Sequence, residues 1–179
     1  ARKQGASCRE ISKNAFEIRE VNRKYIAFSR VNAYDKDVIF QVPICGCYQV
    51  TNAMIALEAA EYLLEGEKIH INRWVDALAS IHWAGRMELV KDNLYVDGAH
   101  NPQGIRSFVD SVDSLYESEK LSDATLLFSV VSDKNYDQMI KILCECKHFK
   151  CVYVTMTGGV RRLSSEIIKQ AFEAHLPGI

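Results

Sequence analysis

From residue 88 to residue 175 the chain alternates short β-rich runs with amphipathic helical patterns, and this rhythm limits the possible folds more than any other feature. ELVKD and NLYVD read as short strands. A helix follows over about 102–117, with Ile105, Phe108, Val109, Val112 and Leu115 on its apolar face. ATLLFSVV is continuously apolar, the pattern of a strand buried on both faces. The next helix, about 135–146, turns Tyr136, Met139, Ile140 and Leu143 inward, and CVYVT reads as another buried strand. SSEIIKQAFEAH closes the pattern as a helix with a serine cap and a glutamate in its first turn. Such an order predicts a parallel sheet of about three strands with right-handed crossovers, and a further strand beyond Ile179.

Residues before 88 follow a different style. FEIRE, KYIAFSR and DVIFQVP, within 16–43, are β-rich runs separated by polar breaks such as NAYDKD, and they predict a small antiparallel meander ending at Pro43 and Gly46. A helix follows over about 50–65, VTNAMIALEAAEYLLE. Ala53, Ile55, Ala56, Leu57, Ala60, Leu63 and Leu64 make it apolar over more than one stripe, which predicts burial against two partners, with Gly66 as its C′ stop. A short helix over about 72–80 points Trp74, Val75 and Leu78 inward. The two styles meet at SIHWAGR, within 80–86.

Composition narrows the function classes. Lys+Arg total 22 against Asp+Glu 23, a balance that gives no electrostatic case for nucleic acid or an anionic membrane surface. No apolar run reaches the roughly 18 residues of a membrane span. ARKQGASCRE has no apolar core and no initiator Met, so it reads as neither a signal peptide nor a natural start, and the chain reads as a piece of something longer. The six cysteines include two C-x-C pairs, 45/47 and 144/146, which do not match the C-x-x-C spacing of zinc pairs. Their plain reading is reduced thiols acting as small apolar residues, which predicts a cytoplasmic protein. No metal site is expected within the chain.

The chemistry concentrates in LYVDGAHNPQG, residues 94–104. In open parallel sheets ligands sit beyond the carboxyl ends of strands, and Asp97 falls at such an end. Pro102 suits the first position of the helix that follows, whose N-terminus favours anions. Asp97 can accept from ribose hydroxyls or orient a cation, His100 can donate to phosphate or carboxylate, and Asn101 can cap the helix. The alternative is a local Asx turn and helix cap with no ligand. Arg86, in the AGR turn, can pair with a phosphate or with an acid such as Asp97. Asn52, near the start of the first helix, is a candidate cap in competition with Thr51. Asp133 and Lys134, after ATLLFSVV, either face the same cleft or cap the next helix. Arg161 and Arg162, after CVYVTMTGG, either reach an anionic ligand or sit in a solvated loop. No G-x-x-x-x-G-K-[ST], G-x-S-x-G, H-E-x-x-H or G-x-G-x-x-G occurs, so any phosphate cradle comes from outside the chain.

CYQVTNAMIALEA, HWAGRMELV, YVDGAHNPQGIRSF and FSVVSDKNYDQM occur in this order across about 47–172. Together they resemble the folylpolyglutamate synthase/dihydrofolate synthase family within the Mur ligase superfamily, and DGAHNP favours the folate branch. The resemblance implies an α/β fold: residues 1–82 closing the central ATPase domain as a β-meander and helices, and residues 83–179 forming a Rossmann-like, mostly parallel, three-layer C-terminal domain. It implies ATP-dependent amide formation. ATP phosphorylates a folate carboxylate, the amino group of glutamate attacks the acyl phosphate, and ADP and phosphate leave. Asn52, Arg86 and Asp97 match the family's nucleotide-binding positions, and His100 matches a catalytic position near the glutamate and phosphate end. Asn101, Asp133, Lys134 and Arg161 are further cleft residues. Implied partners are ATP, L-glutamate and folate or dihydropteroate, with Mg²⁺ held mainly by residues outside this chain, in a monomer. Ala84 and Ser129 depart from the family, which often has Pro and Gly there. The rival readings are another Mur-type amino-acid ligase and a non-catalytic nucleotide-binding module.

Overall fold

A computed structural model describes residues 5, 8–12, 14–31, 34–65, 67, 70–121 and 123–176. Gly66 and residues 32–33 of the NAYDKD break lie outside the described residues.

The β-branched and aromatic runs of the first segment pair as an antiparallel sheet in the order β1 (Phe16–Val21), β2 (Ile26–Arg30), β3 (Phe40–Val42). The turn between β1 and β2 is set by Asn22, whose Oδ1 accepts from the backbone N–H groups of Lys24 and Tyr25. Phe28 stacks on Phe40, with 5.5 Å between ring centroids, at the centre of the buried face. Helix α1 (Tyr48–Leu63) lays Val50, Ala53, Met54 and Leu57 into the core, a single stripe at helical spacing. The second apolar stripe is not covered among the described residues, for Ile55, Tyr62 and Leu63 are 53%, 56% and 79% exposed. Helix α2 (Ile71–Ala79) buries Leu78, with Trp74 and Val75 partly covered.

Two charged groups, Arg30 and Asp35, are buried here. The Arg30 side chain, 5% exposed, reaches Asp35 at 3.2 Å, Glu58 at 3.0 Å and Glu61, tying β2 to α1. Burial alone would lower the guanidinium's pKa, but the carboxylates outweigh it and raise it, so Arg30 stays charged. The Arg30 hydrogen bond in turn holds the Glu61 carboxyl below its ordinary range.

In the second segment, β4 (Glu88–Lys91) and β5 (Leu94–Val96) form an antiparallel hairpin with Asn93 at φ 60° in the turn. Helix α3 (Pro102–Glu119), β6 (Ala124–Phe128), α4 (Tyr136–Leu143), β7 (Phe149–Val154) and α5 (Ser165–His175) follow. β6 and β7 pair in parallel, as the βαβ rhythm demands. The fold is therefore α/β with a parallel pair. β5 bonds to β4 instead of to β6, and an open cleft of about 750 Å³ separates it from β6.

Leu126 and Phe128 of β6 face the helices. Phe128 meets Phe172 of α5 edge to face at 5.7 Å, and Phe108 of α3 stacks on Phe149 at 6.2 Å. The opposite face is open: Leu127 and Tyr153 are 69% and 61% exposed. The apolar runs predicted burial of both strand faces. Among the described residues α3 and α5 cover one face, and no helix covers Leu127 or Tyr153.

The two segments touch through Cys47, whose N–H donates to Ser111 Oγ of α3 at 3.1 Å, and through Arg23, whose guanidinium donates to Asn93 Oδ1 at 2.7 Å. Burial pushes the Cys45 thiol up to about 11, so it is a neutral, apolar filler. Among the described residues no helix is long and apolar enough to cross a membrane, and no three His, Cys, Asp or Glu side chains form a metal-binding group.

Candidate nucleotide-side site

Two turns zip together where the segments meet. The first, Ala84–Met87, holds two left-handed residues, Gly85 at φ 67° and Met87 at φ 48°. Met87 is 1% exposed and has a side chain, so its conformation is strained and is held by its surroundings. The second turn is Asp97–Ala99. Gly98 N–H donates to the Gly85 carbonyl at 2.8 Å, and Met87 N–H donates to Asp97 Oδ2 at 2.8 Å. A Cβ on Gly98 would stand 3.3 Å from the Gly85 oxygen, a tight contact at a place where the backbones approach closely.

Asp97 is the hub of this site. Its Oδ1 accepts from Ala99 N–H at 2.8 Å, and its Oδ2 accepts from Met87 N–H and from the Tyr48 hydroxyl at 3.1 Å. An ionised carboxylate has about four acceptor sites, so about one is left, on Oδ1. Arg86 lies between the tied residues. Among the described residues its side chain makes no ion pair and no hydrogen bond. Among the described residues the salt bridge with Asp97 considered from the sequence does not form; Asp97 instead accepts from neutral donors. The guanidinium remains available beside Gly98, where Nη1 stands 3.6 Å from an added Cβ.

The helix N-terminus is more occupied than its sequence suggests. Asn101 Oδ1 accepts from Gly104 N–H at 2.7 Å, so Asn101 is the cap of α3. Pro102 has no N–H, which leaves the amide of Gln103 as the open donor of the first turn. His100 is exposed, and its Nδ1 lies 2.9 Å from the Gly98 carbonyl. A carbonyl only accepts, so Nδ1 is the donor of this pair, and Nε2 has no partner among the described residues.

The other sequence candidates fall differently. Asn52 is not a cap. α1 starts at Tyr48, and the exposed Asn52, its fifth residue, donates its amide to the buried Gln49 Oε1 at 2.8 Å. Thr51 lies within the helix as well. Asp133 and Lys134 do not cap α4 either: Asn135 does, accepting from Gln138 N–H, because it stands directly ahead of the first helical residue. Asp133 instead pairs with Arg161 at 3.1 Å across the loops after β6 and β7, both side chains largely exposed. Arg162 forms a single backbone bridge with Val131. Arg86, Asp97, His100 and Asn101 thus share one loop cluster, and Asp133 and Arg161 form a second. Sequence reasoning missed Tyr48 as a partner of Asp97. No local signal links residues 49 positions apart.

The family profile described as Mur ligase, glutamate ligase domain, matches residues 85–178. A dihydrofolate synthase/folylpolyglutamate synthase of Bacillus subtilis (strain 168) is 32% identical over 109 residues, covering 59% of this chain and 25% of that protein. A folylpolyglutamate synthase structure from Thermotoga maritima superposes with TM-score 0.74 at 22% identity, over 98% of this chain and 41% of that one. A Mycobacterium tuberculosis folylpolyglutamate synthase complexed with ADP superposes with TM-score 0.69 at 22% identity, over 91% of this chain and 36% of that one. The chain therefore spans about a quarter to two fifths of the length of these relatives.

Proposed function

Since the chain belongs to the Mur ligase family through its glutamate ligase domain, we propose that it is the nucleotide-closing part of a folylpolyglutamate synthase or dihydrofolate synthase. The observation that carries this reading is the Arg86–Asp97 cluster: an unpaired guanidinium beside a carboxylate with one open acceptor site, on two zipped turns at a strand's carboxyl end. Arg86 supplies positive charge to the phosphates of ATP, and the open lone pair of Asp97 accepts from a ribose hydroxyl. His100 presents Nε2 toward the end of the cleft where glutamate and the acyl phosphate meet. Asn101 keeps the turn in register by capping α3. Asn52, near the start of α1, is a further nucleotide-binding residue. Asp133, Lys134 and Arg161 line the outer cleft.

The reaction of the whole protein is then amide formation. ATP phosphorylates a pteroate or folate carboxylate, the glutamate amine displaces phosphate from the acyl phosphate, and catalysis rests on positioning and charge stabilisation. In this reading residues 1–82 close the ATPase domain, residues 83–179 are the glutamate ligase domain, and the AGRM turn is the joint between them. The phosphate cradle and the magnesium ligands belong to the part of the enzyme outside these residues. The enzyme is a cytoplasmic monomer.

The test is ADP release by the full-length protein with ATP, magnesium and glutamate, comparing tetrahydrofolate, dihydropteroate and a peptidoglycan precursor as acceptors. Folate-dependent or pteroate-dependent turnover is expected, with none from residues 1–179 alone. Turnover with the peptidoglycan precursor alone would move the protein to another branch of the family.

A further inference from the structure

We propose that Tyr48 is a positioning residue of the nucleotide site, aiming the open acceptor of Asp97 from the far side of the joint between the two segments; this role rests on the ligase reading above. Two of the three donors to Asp97 are backbone amides of the zipped turns, Met87 and Ala99, and they move with Asp97. The third, the Tyr48 hydroxyl at 3.1 Å, is the first residue of α1 and belongs to the other segment. Two donors fix where the carboxylate sits relative to its own loop. The third fixes its rotation relative to α1, and so the direction in which the free lone pair of Oδ1 points.

The chemistry of the third donor matters. Burial first, then the charge of Asp97 and the hydrogen bond to it, push the phenol's pKa up, so Tyr48 remains a neutral donor. A lysine or arginine in its place would neutralise Asp97 and duplicate the charge of Arg86. A neutral hydroxyl orients the carboxylate and leaves its charge intact.

The surroundings hold the ring in place. The Tyr48 ring lies over Gly46, where an added Cβ would meet Cε1 at 2.8 Å and Cζ at 3.1 Å. Any side chain at position 46 pushes the ring aside and takes its hydroxyl away from Asp97. Gly46 is itself buried, and Cys47 is anchored to Ser111, so the backbone below the ring has little freedom to yield. Two chemically different substitutions therefore reach the same bond: Tyr48→Phe deletes the hydroxyl, and Gly46→Ala keeps it but displaces it.

The test uses the full-length protein and steady-state kinetics with ATP varied at saturating glutamate and acceptor, with Asp97→Asn alongside. Tyr48→Phe and Gly46→Ala should each raise KM for ATP about tenfold, the scale of a hydrogen bond to a charged group, with kcat within about twofold of the parent. The double variant should be no worse than the poorer single, because both remove one interaction. A general loss of folding would lower kcat and the unfolding midpoint together and would not give this split. Unchanged KM in Tyr48→Phe, with a raised KM in Asp97→Asn, would overturn the role of Tyr48 and leave the ligase reading standing. Unchanged KM in Asp97→Asn would overturn both.

Discussion

The molecule carries two polar hubs with opposite designs. At Arg30 a buried cation is surrounded by three carboxylates contributed by the β2–β3 connection and α1, and Arg9 adds a second cation to Glu58 at 3.6 Å. At Asp97 a half-buried carboxylate is held by two amides and a phenol, all neutral, while the neighbouring Arg86 has no ion-pair partner among the described residues. Charges that satisfy one another hold elements together. A charge satisfied by neutral dipoles stays available to a visitor. On the ligase reading, the contrast separates a structural cluster from a proposed binding one.

Four measurements bear on this contrast. The largest effect is expected for Arg30→Met, which leaves Asp35 and Glu61 without their cation in a buried place and should cost about 3 kcal/mol in urea unfolding. A loss under about 1 kcal/mol would mean that the Arg30 cluster is not what binds β2 to α1. Asp97→Ala comes next. In the full-length protein kcat/KM for ATP should fall about a hundredfold, the scale of losing a preorganised electrostatic contact. If stability drops as much as it does in Arg30→Met while turnover survives, the two hubs are of one kind. Glu61→Gln tests the Arg30 hub by pH. The native carboxyl is held below its ordinary range, so its contribution is present above about pH 4 and is lost as pH falls through the lowered value. The variant should therefore be about 1 kcal/mol less stable than the parent at pH 7, with the gap narrowing as pH falls through the lowered value; a gap independent of pH would assign the loss to packing. The smallest effect belongs to Asp133→Ala. That pair is exposed, and its loss should change stability by less than about 0.5 kcal/mol. A raised KM for ATP in this variant would draw the second loop cluster into the site.

What the sequence made legible was local. Asn101 ahead of Pro102, and Ser164 ahead of the last helix, act within three residues of themselves, and both were readable as caps. The parallel pairing of β6 and β7 followed from the alternation of strand and helix. Asn135 was passed over because Asp133 also stands ahead of α4, and cap position depends on where the helix begins to within one residue. Apolar runs predicted buried faces, yet Leu127 and Leu63 lie open, since composition records what a surface can bury and not what covers it. The bond from Tyr48 to Asp97 was invisible for a simpler reason: it exists only once the meander, α1 and the hairpin have brought the two residues together.

The cleft between β5 and β6 has a practical side. Among the described residues each strand is bonded along one edge only, and Leu127 and Tyr153 face outward nearby. An unpaired strand edge beside exposed apolar side chains is a template for further strands. With a formal net charge of −1, little repulsion keeps copies of the isolated 179-residue chain apart. Its solutions should therefore turn turbid with rising concentration long before heat unfolds it. For this polypeptide in isolation, the quantity to optimise at the bench is colloidal: ionic strength, a pH away from the isoelectric point near 6.6, and dilution.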